Sequence, residues 1–160
     1  LIPSSLKTGE IARILREGYD VGLLNDGLQD LLKRMRLDYL FIDTHPGVNE
    51  ETLLSIAVSD TLVLIVRPDQ QDFQGTAVAV ELARKLEVPE MFIVINKVPT
   101  GTDPAALRAC VEGLYRTDVA AVLPLSIEMA RMASGDIFCN RYPTHPLTRD
   151  LEGVAQRIIR

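Results

Sequence analysis

The sequence predicts an α/β protein, a mostly parallel sheet with helices on both faces, and three observations carry that expectation. Short apolar runs at 39–42, 60–66, 91–95 and 119–123 are rich in branched and aromatic residues and read as strands. Each is separated from the next by a segment whose apolar residues recur at helical spacing. The runs are also nearly continuous rather than alternating, as strands become when both faces of a parallel sheet are covered. Strict β-α alternation then requires right-handed crossovers.

Composition sets the outer limits. One hundred and sixty residues with 47% hydrophobic and 24% charged content suit one domain with a sizeable core, so residues 1–160 are expected to form a single domain. The longest apolar runs are far too short to cross a bilayer, and no charged-then-apolar leader opens the chain. The expected location is the cytoplasm. Cys110 and Cys139 are too few for a disulfide framework and form no Cys-x-x-Cys pair, so both read as reduced small apolar residues. A net charge of −5 speaks against a nonspecific grip on nucleic acid, and no direct nucleic-acid contact is expected.

The elements follow in order. Leu1 to Ser5 resembles a strand end, and a chain opening on Leu1 rather than methionine reads as a fragment, the C-terminal part of a larger domain. Thr8 caps a helix carrying Ile11, Ile14 and Leu15, which Gly18 closes. A second helix starts at Asp20; Leu23, Leu24, Leu28, Leu31, Leu32 and Met35 form its apolar stripe, with Gly27 a weak point. Tyr39, Leu40, Phe41 and Ile42 are then expected as a buried strand ending at Asp43. A turn and a short helix over 50–58 follow, and Arg67-Pro68-Asp69 breaks the strand at 60–66. The spacing of Phe73, Ala77, Val80, Leu82 and Ala83 predicts a helix over 70–86, ended by Val88-Pro89. After the strand at 91–95 come Asn96-Lys97, a turn-rich loop, and a helix opened by Pro104 with Leu107, Cys110, Val111 and Leu114 as its inner face. Pro124 leads from the strand at 119–123 into a short helix at 126–129, a looser segment with Gly135, and a last helix over about 147–159.

Chemistry concentrates where strands end. Asp43 stands at the carboxyl end of its expected strand, where open α/β sheets bind ligands, and a carboxylate there suits a magnesium ion held through its water shell. Gly47 lets the backbone approach a terminal phosphate closely. Asn96 offers an amide donor and acceptor to a purine edge, with a local turn role as its competitor. Asn96-Lys97 also begins the guanine motif N-K-x-D, but position 99 is proline, so the carboxylate that would bind guanine is missing and adenine is preferred.

Taken together, FIDTHPG at 41–47, LIVRPDQQDFQGT at 64–76 and FIVINKV at 92–98 resemble the MinD/ParA family of deviant Walker ATPases, most of all its MinD-like septum-site members. The resemblance runs along all 160 residues in the order of the family's later part. It implies a P-loop NTPase-like fold of the SIMIBI class, here lacking its N-terminal βα unit. It also implies an ATP-dependent dimerising switch that positions a division site, a cargo or DNA. In that reading Asp43 and Gly47 are the catalytic Walker B and switch II elements, with Asp43 on magnesium. Asn96, Lys97 and, from the adenine-side loop, Pro124 bind the nucleotide. The family's glycine-lysine phosphate loop has no counterpart, since no G-x-x-x-x-G-K-[ST] occurs. ATP and magnesium are therefore expected in the complete protein, where ATP hydrolysis belongs, with neither held tightly by this chain alone and the chain by itself inactive. A homodimer and a protein regulator are the partners implied. The alternative is a non-catalytic binding module, split or degenerate, acting through protein contacts.

Other signals carry less. Ser4-Ser5-Leu6-Lys7 and Lys7-Thr8-Gly9 mimic the S-x-x-K and K-T-G signatures of serine β-lactamases, but they share one lysine and no S-D-N element accompanies them. His45 and His145 lack zinc spacing, and nothing supports a Cys139–His145 thiol dyad. Glu50 and Glu51 complement a helix dipole, and Arg67, Asp69 and Asp72 form a charged rim open to solvent or a partner subunit. The closing helix carries Leu151, Val154, Ile158 and Ile159 without a lysine-rich polar face, so it is expected to dock on the core, leaving peripheral membrane association without support from it.

Overall fold

The computed structural model describes residues 21–44, 47 and 50–159, which fall into two compact units, 1–44 and 45–160. The expected strand end at Leu1 to Ser5, the helix capped by Thr8, the serine-lysine decoys and the turn residue His45 lie outside the described residues.

In the first unit, helix α1 (Val21–Met35) has Leu28, Leu31 and Leu32 half-buried and Met35 exposed, with Lys33 and Arg34 in its last turn where cations complement the dipole. Arg36 adopts a left-handed conformation, φ 49°, and the Leu37 N–H donates to the Leu32 carbonyl at 3.1 Å, closing the helix with a Schellman turn. The expected strand at 39–42 is not formed. Residues 39–44 are irregular, and Phe41 is 73% exposed. A strand exists through its ladder partners, and the described part of this unit holds only a helix beside the segment.

The second unit contains α2 (Glu50–Ala57), β1 (Thr61–Val66), α3 (Gln70–Lys85), β2 (Glu90–Val98) and α4 (Pro104–Tyr115). After these come β3 (Val119–Pro124), α5 (Ile127–Met132), α6 (Phe138–Arg141) and α7 (Pro146–Ile158). The strands form one parallel sheet in the order β1-β2-β3. Strand β2 is central, and its successive side chains serve opposite cores, which is why its sequence reads as an unbroken apolar run. Ile93, Ile95 and Val98 join Val66, Val80, Val111, Tyr115 and Val119 under α3 and α4. Phe92 and Val94 join Ala121, Leu123, Phe138 and Leu147, with Leu151, Val154 and Ile158 of α7 packed against them. The closing helix is thus docked on the core, and both faces of the sheet are covered. Among the described residues no helix is long and apolar enough to cross a membrane.

Helix ends follow local chemistry. The Asp69 carboxylate accepts from the Asp72 N–H at 2.9 Å to cap α3. Asp103 caps α4 by accepting from Ala105 and Ala106, with Pro104 just inside. His145 Nδ1 accepts from the Leu147 N–H at 3.1 Å at the start of α7. Two inner faces are rotated from expectation. In α4 the inward row is Val111 and Tyr115, both buried, with Leu107 partly buried beside them, whereas Cys110 is exposed and Leu114 is 60% exposed. Tyr115 draws the helix round, since its hydroxyl donates to the Phe73 carbonyl at 2.8 Å. In α3, Thr76 takes the buried place expected of Ala77. The four-residue α6 gives no periodic signal; it forms because Phe138 is buried and contacts the Tyr142 and His145 rings.

Candidate functional site

Parallel strands that start together also end together, and the carboxyl ends of β1, β2 and β3 form one rim. The β1–β2 ladder closes with Val66 level with Ile95, and the residues that follow are Arg67, just past β1, and Asn96, still within β2. The β2–β3 register then slips between Ile95 and Val98, where Lys97 takes a left-handed φ of 56°. Asn96 and Lys97 therefore lie inside a distorted strand end rather than beyond it. Val98 pairs with Pro124, the last residue of β3, and the Leu125 N–H donates to the Val98 carbonyl at 2.9 Å.

The register thus brings Asn96, Lys97 and Pro124 together on neighbouring strand ends. Asn96 is half-buried, and its Oδ1 accepts from the Lys97 N–H at 2.8 Å. That is the local turn role weighed against base recognition, and it leaves the amide NH₂ as the group for an outside acceptor. Lys97 is exposed and makes no ion pair among the described residues. Beyond Pro124, the Ser126 hydroxyl accepts from the Met129 N–H and donates to Glu128, each at 3.0 Å, fixing the start of α5. The Glu128 carboxylate is held below its ordinary range by its own backbone N–H and then by Ser126.

Asp43 belongs to the irregular segment of the first unit, and its side chain is exposed. Gly47, at the start of the second unit, is exposed with φ 102°, a conformation in which any side chain is strained. Among the described residues no three His, Cys, Asp or Glu side chains gather as a metal site.

Sequence reasoning found the charges after β1 but not their pairing. Arg67 closes on Asp72 through three bonds: its backbone N–H and Nε donate to Oδ2 and its Nη2 to Oδ1, each at 2.9 Å. Asp69 lies 3.4 Å from the same Nη2. The side-chain and backbone bonds from Arg67 pull the Asp72 carboxyl from its ordinary 3.8 down to about 2, and Asp72 raises Arg67 in turn. A folded-state value below the unfolded one stabilises the fold above the unfolded value, and that contribution is lost as pH falls through about 2. A carboxyl-detected NMR titration is expected to place Asp72 near 2, and Arg67→Ala to return it to the usual aspartate range.

A second arginine escaped the sequence reading because its partners are remote. Arg157 of α7 donates to Asp118 at 3.1 Å, approaches Glu90 at 3.5 Å, and lies 4.6 Å over the Phe92 ring. It fastens α7 to the amino ends of β2 and β3, away from the rim.

No protein-family model matches the sequence. An uncharacterized ATP-binding protein of Methanocaldococcus jannaschii is 32% identical over 85 residues, which are 51% of this chain and 32% of that protein. Among solved structures, the MinD cell division protein of Aquifex aeolicus superposes with a TM-score of 0.73 at 10% identity, over 88% of this chain and 61% of that one. The chain has the fold of that MinD structure. It spans about a third of the curated relative it matches and less than two thirds of the MinD chain. The parallel sheet with helices on both faces, expected from the sequence, is the architecture the MinD comparison bears out.

Proposed function

We propose that this chain is the later part of a MinD/ParA-like ATPase domain, which acts with a phosphate loop supplied from outside these 160 residues. The row of Asn96, Lys97 and Pro124 on adjacent strand ends carries this reading, because parallel sheets bind nucleotides at that edge. The MinD-like fold and the ATP-binding relative support it. Asn96 donates its amide hydrogens to an adenine nitrogen, Lys97 adds positive charge, and the chain after Pro124 borders the base. Asp43, an exposed oxygen donor, suits magnesium held through water. The Gly47 amide meets the γ-phosphate, whose loss releases the segment that follows. That loss is in-line hydrolysis: water attacks the γ-phosphorus as its bond to the β-phosphate oxygen breaks, leaving ADP and phosphate, and the complete protein is a homodimeric switch that positions a division site or a cargo under a protein regulator.

The test is nucleotide titration of the chain after a phosphate-loop segment is joined to it. Magnesium-dependent ATP binding is expected, with adenine nucleotides outcompeting guanine ones because Pro99 stands where a guanine-binding carboxylate would be. Equal competition by GTP would refute the base assignment. The lack of a glycine-lysine loop favours one second reading, a binding module of the same fold without chemistry, and failure to recover any ATP binding selects it.

A further inference from the structure

We propose that Asp72 gates Arg67, holding in reserve a second cationic contact for the anionic part of a ligand on the strand-end rim. The inference rests on the nucleotide reading and adds to it a residue and a means of control. Arg67 and Asn96 each follow the last β1–β2 ladder pair, Val66 and Ile95, so Arg67 leaves the sheet at the rim that carries Asn96 and Lys97. Its side chain is 53% exposed, accessible to a solute, yet both of its carboxylate-facing nitrogens are bonded to Asp72 in bidentate fashion, with Asp69 alongside. A guanidinium fork that fits a carboxylate in this way fits a phosphate equally well. Lys97, without an ion pair among the described residues, is the open cation of the row, and Arg67 is the occupied one. A polyphosphate drawn in by Lys97 competes with Asp72 for the fork. Only ion pairs are exchanged; no covalent bond changes.

Inorganic triphosphate, ATP and adenosine are titrated into the chain joined to a phosphate-loop segment while the backbone amides of the rim are followed by NMR. Asp72→Asn is expected to tighten triphosphate roughly two- to fivefold, the factor commanded by an exposed ion pair. Arg67→Ala alone is expected to change affinity little, because the wild-type fork is already occupied. The gain from Asp72→Asn must disappear in the Arg67→Ala/Asp72→Asn double variant. A gain of equal size in both backgrounds reflects net charge alone and overturns the gate, as does no gain at all. A large loss from Arg67→Ala alone shows an open contact and also overturns it, without relying on the Asp72 variant. If adenosine perturbs Asn96 while triphosphate ignores these substitutions, the gate fails and the nucleotide reading stands. If neither adenosine nor ATP perturbs the rim, both fail.

Discussion

Phe92→Ala is expected to cost about 3–5 kcal/mol of folding stability, a large share of the roughly 5–15 kcal/mol typical of a domain. Phe92 is fully buried in the central strand, where it joins β2 to β3 and to the helices α6 and α7 on one face of the sheet. Truncation removes its transfer energy and leaves a cavity beneath Arg157, whose guanidinium now covers the ring. The neighbouring Ala121 is too small to fill the space, and Val94 is fixed on the same strand. Urea unfolding followed by circular dichroism measures the loss. Leu114→Ala serves as the contrast: Leu114 is 60% exposed, and its replacement is expected to stay within about 0.5 kcal/mol. Equal effects from the two variants would contradict the layering of side chains described above.

Asp43→Ala, made in a protein that joins this chain to a phosphate loop, is expected to lower magnesium-dependent ATP hydrolysis by about a hundredfold or more. Positioning and charge neutralisation supply most of phosphoryl-transfer catalysis, so removing the carboxylate that orders magnesium or its water removes a dominant contribution. Stability should scarcely change, since the Asp43 side chain is exposed. Single-turnover hydrolysis over a range of magnesium concentrations separates the two effects. Near-normal turnover, or a loss that follows unfolding, would remove Asp43 from the mechanism.

Much of the fold is legible in the sequence because β2 and β3 write their environment into their residues. Ile93 and Ile95 need one apolar face, Phe92 and Val94 the other, and no exposed strand could carry both. The run at 39–42 has the same look yet forms no strand in the structure, because apolar content reveals a wish for burial and not the identity of a ladder partner. Helix faces were readable to within one turn. Leu114 and Tyr115 are adjacent, and the choice between them came from the bond of a tyrosine hydroxyl to a carbonyl 42 residues away, which no local pattern encodes. At the candidate site, Asn96 was singled out from the end of a strand and Pro124 from the family resemblance. Their meeting depended on a register slip at Lys97 that is invisible in sequence, since lysine rarely adopts a positive φ. The Arg67–Asp72 clasp could have been suspected from an arginine and an aspartate flanking a Pro-Asp cap, though only coordinates show it bidentate.

The parallel sheet also bears on how the chain is made. Strand β2 takes one neighbour from earlier in the sequence and the other from later, so during translation its β3 side stays open until α4 and β3 have left the ribosome. For that interval the nascent chain offers an unpaired apolar edge, the kind of surface that chaperones occupy and that crowded polysomes render hazardous.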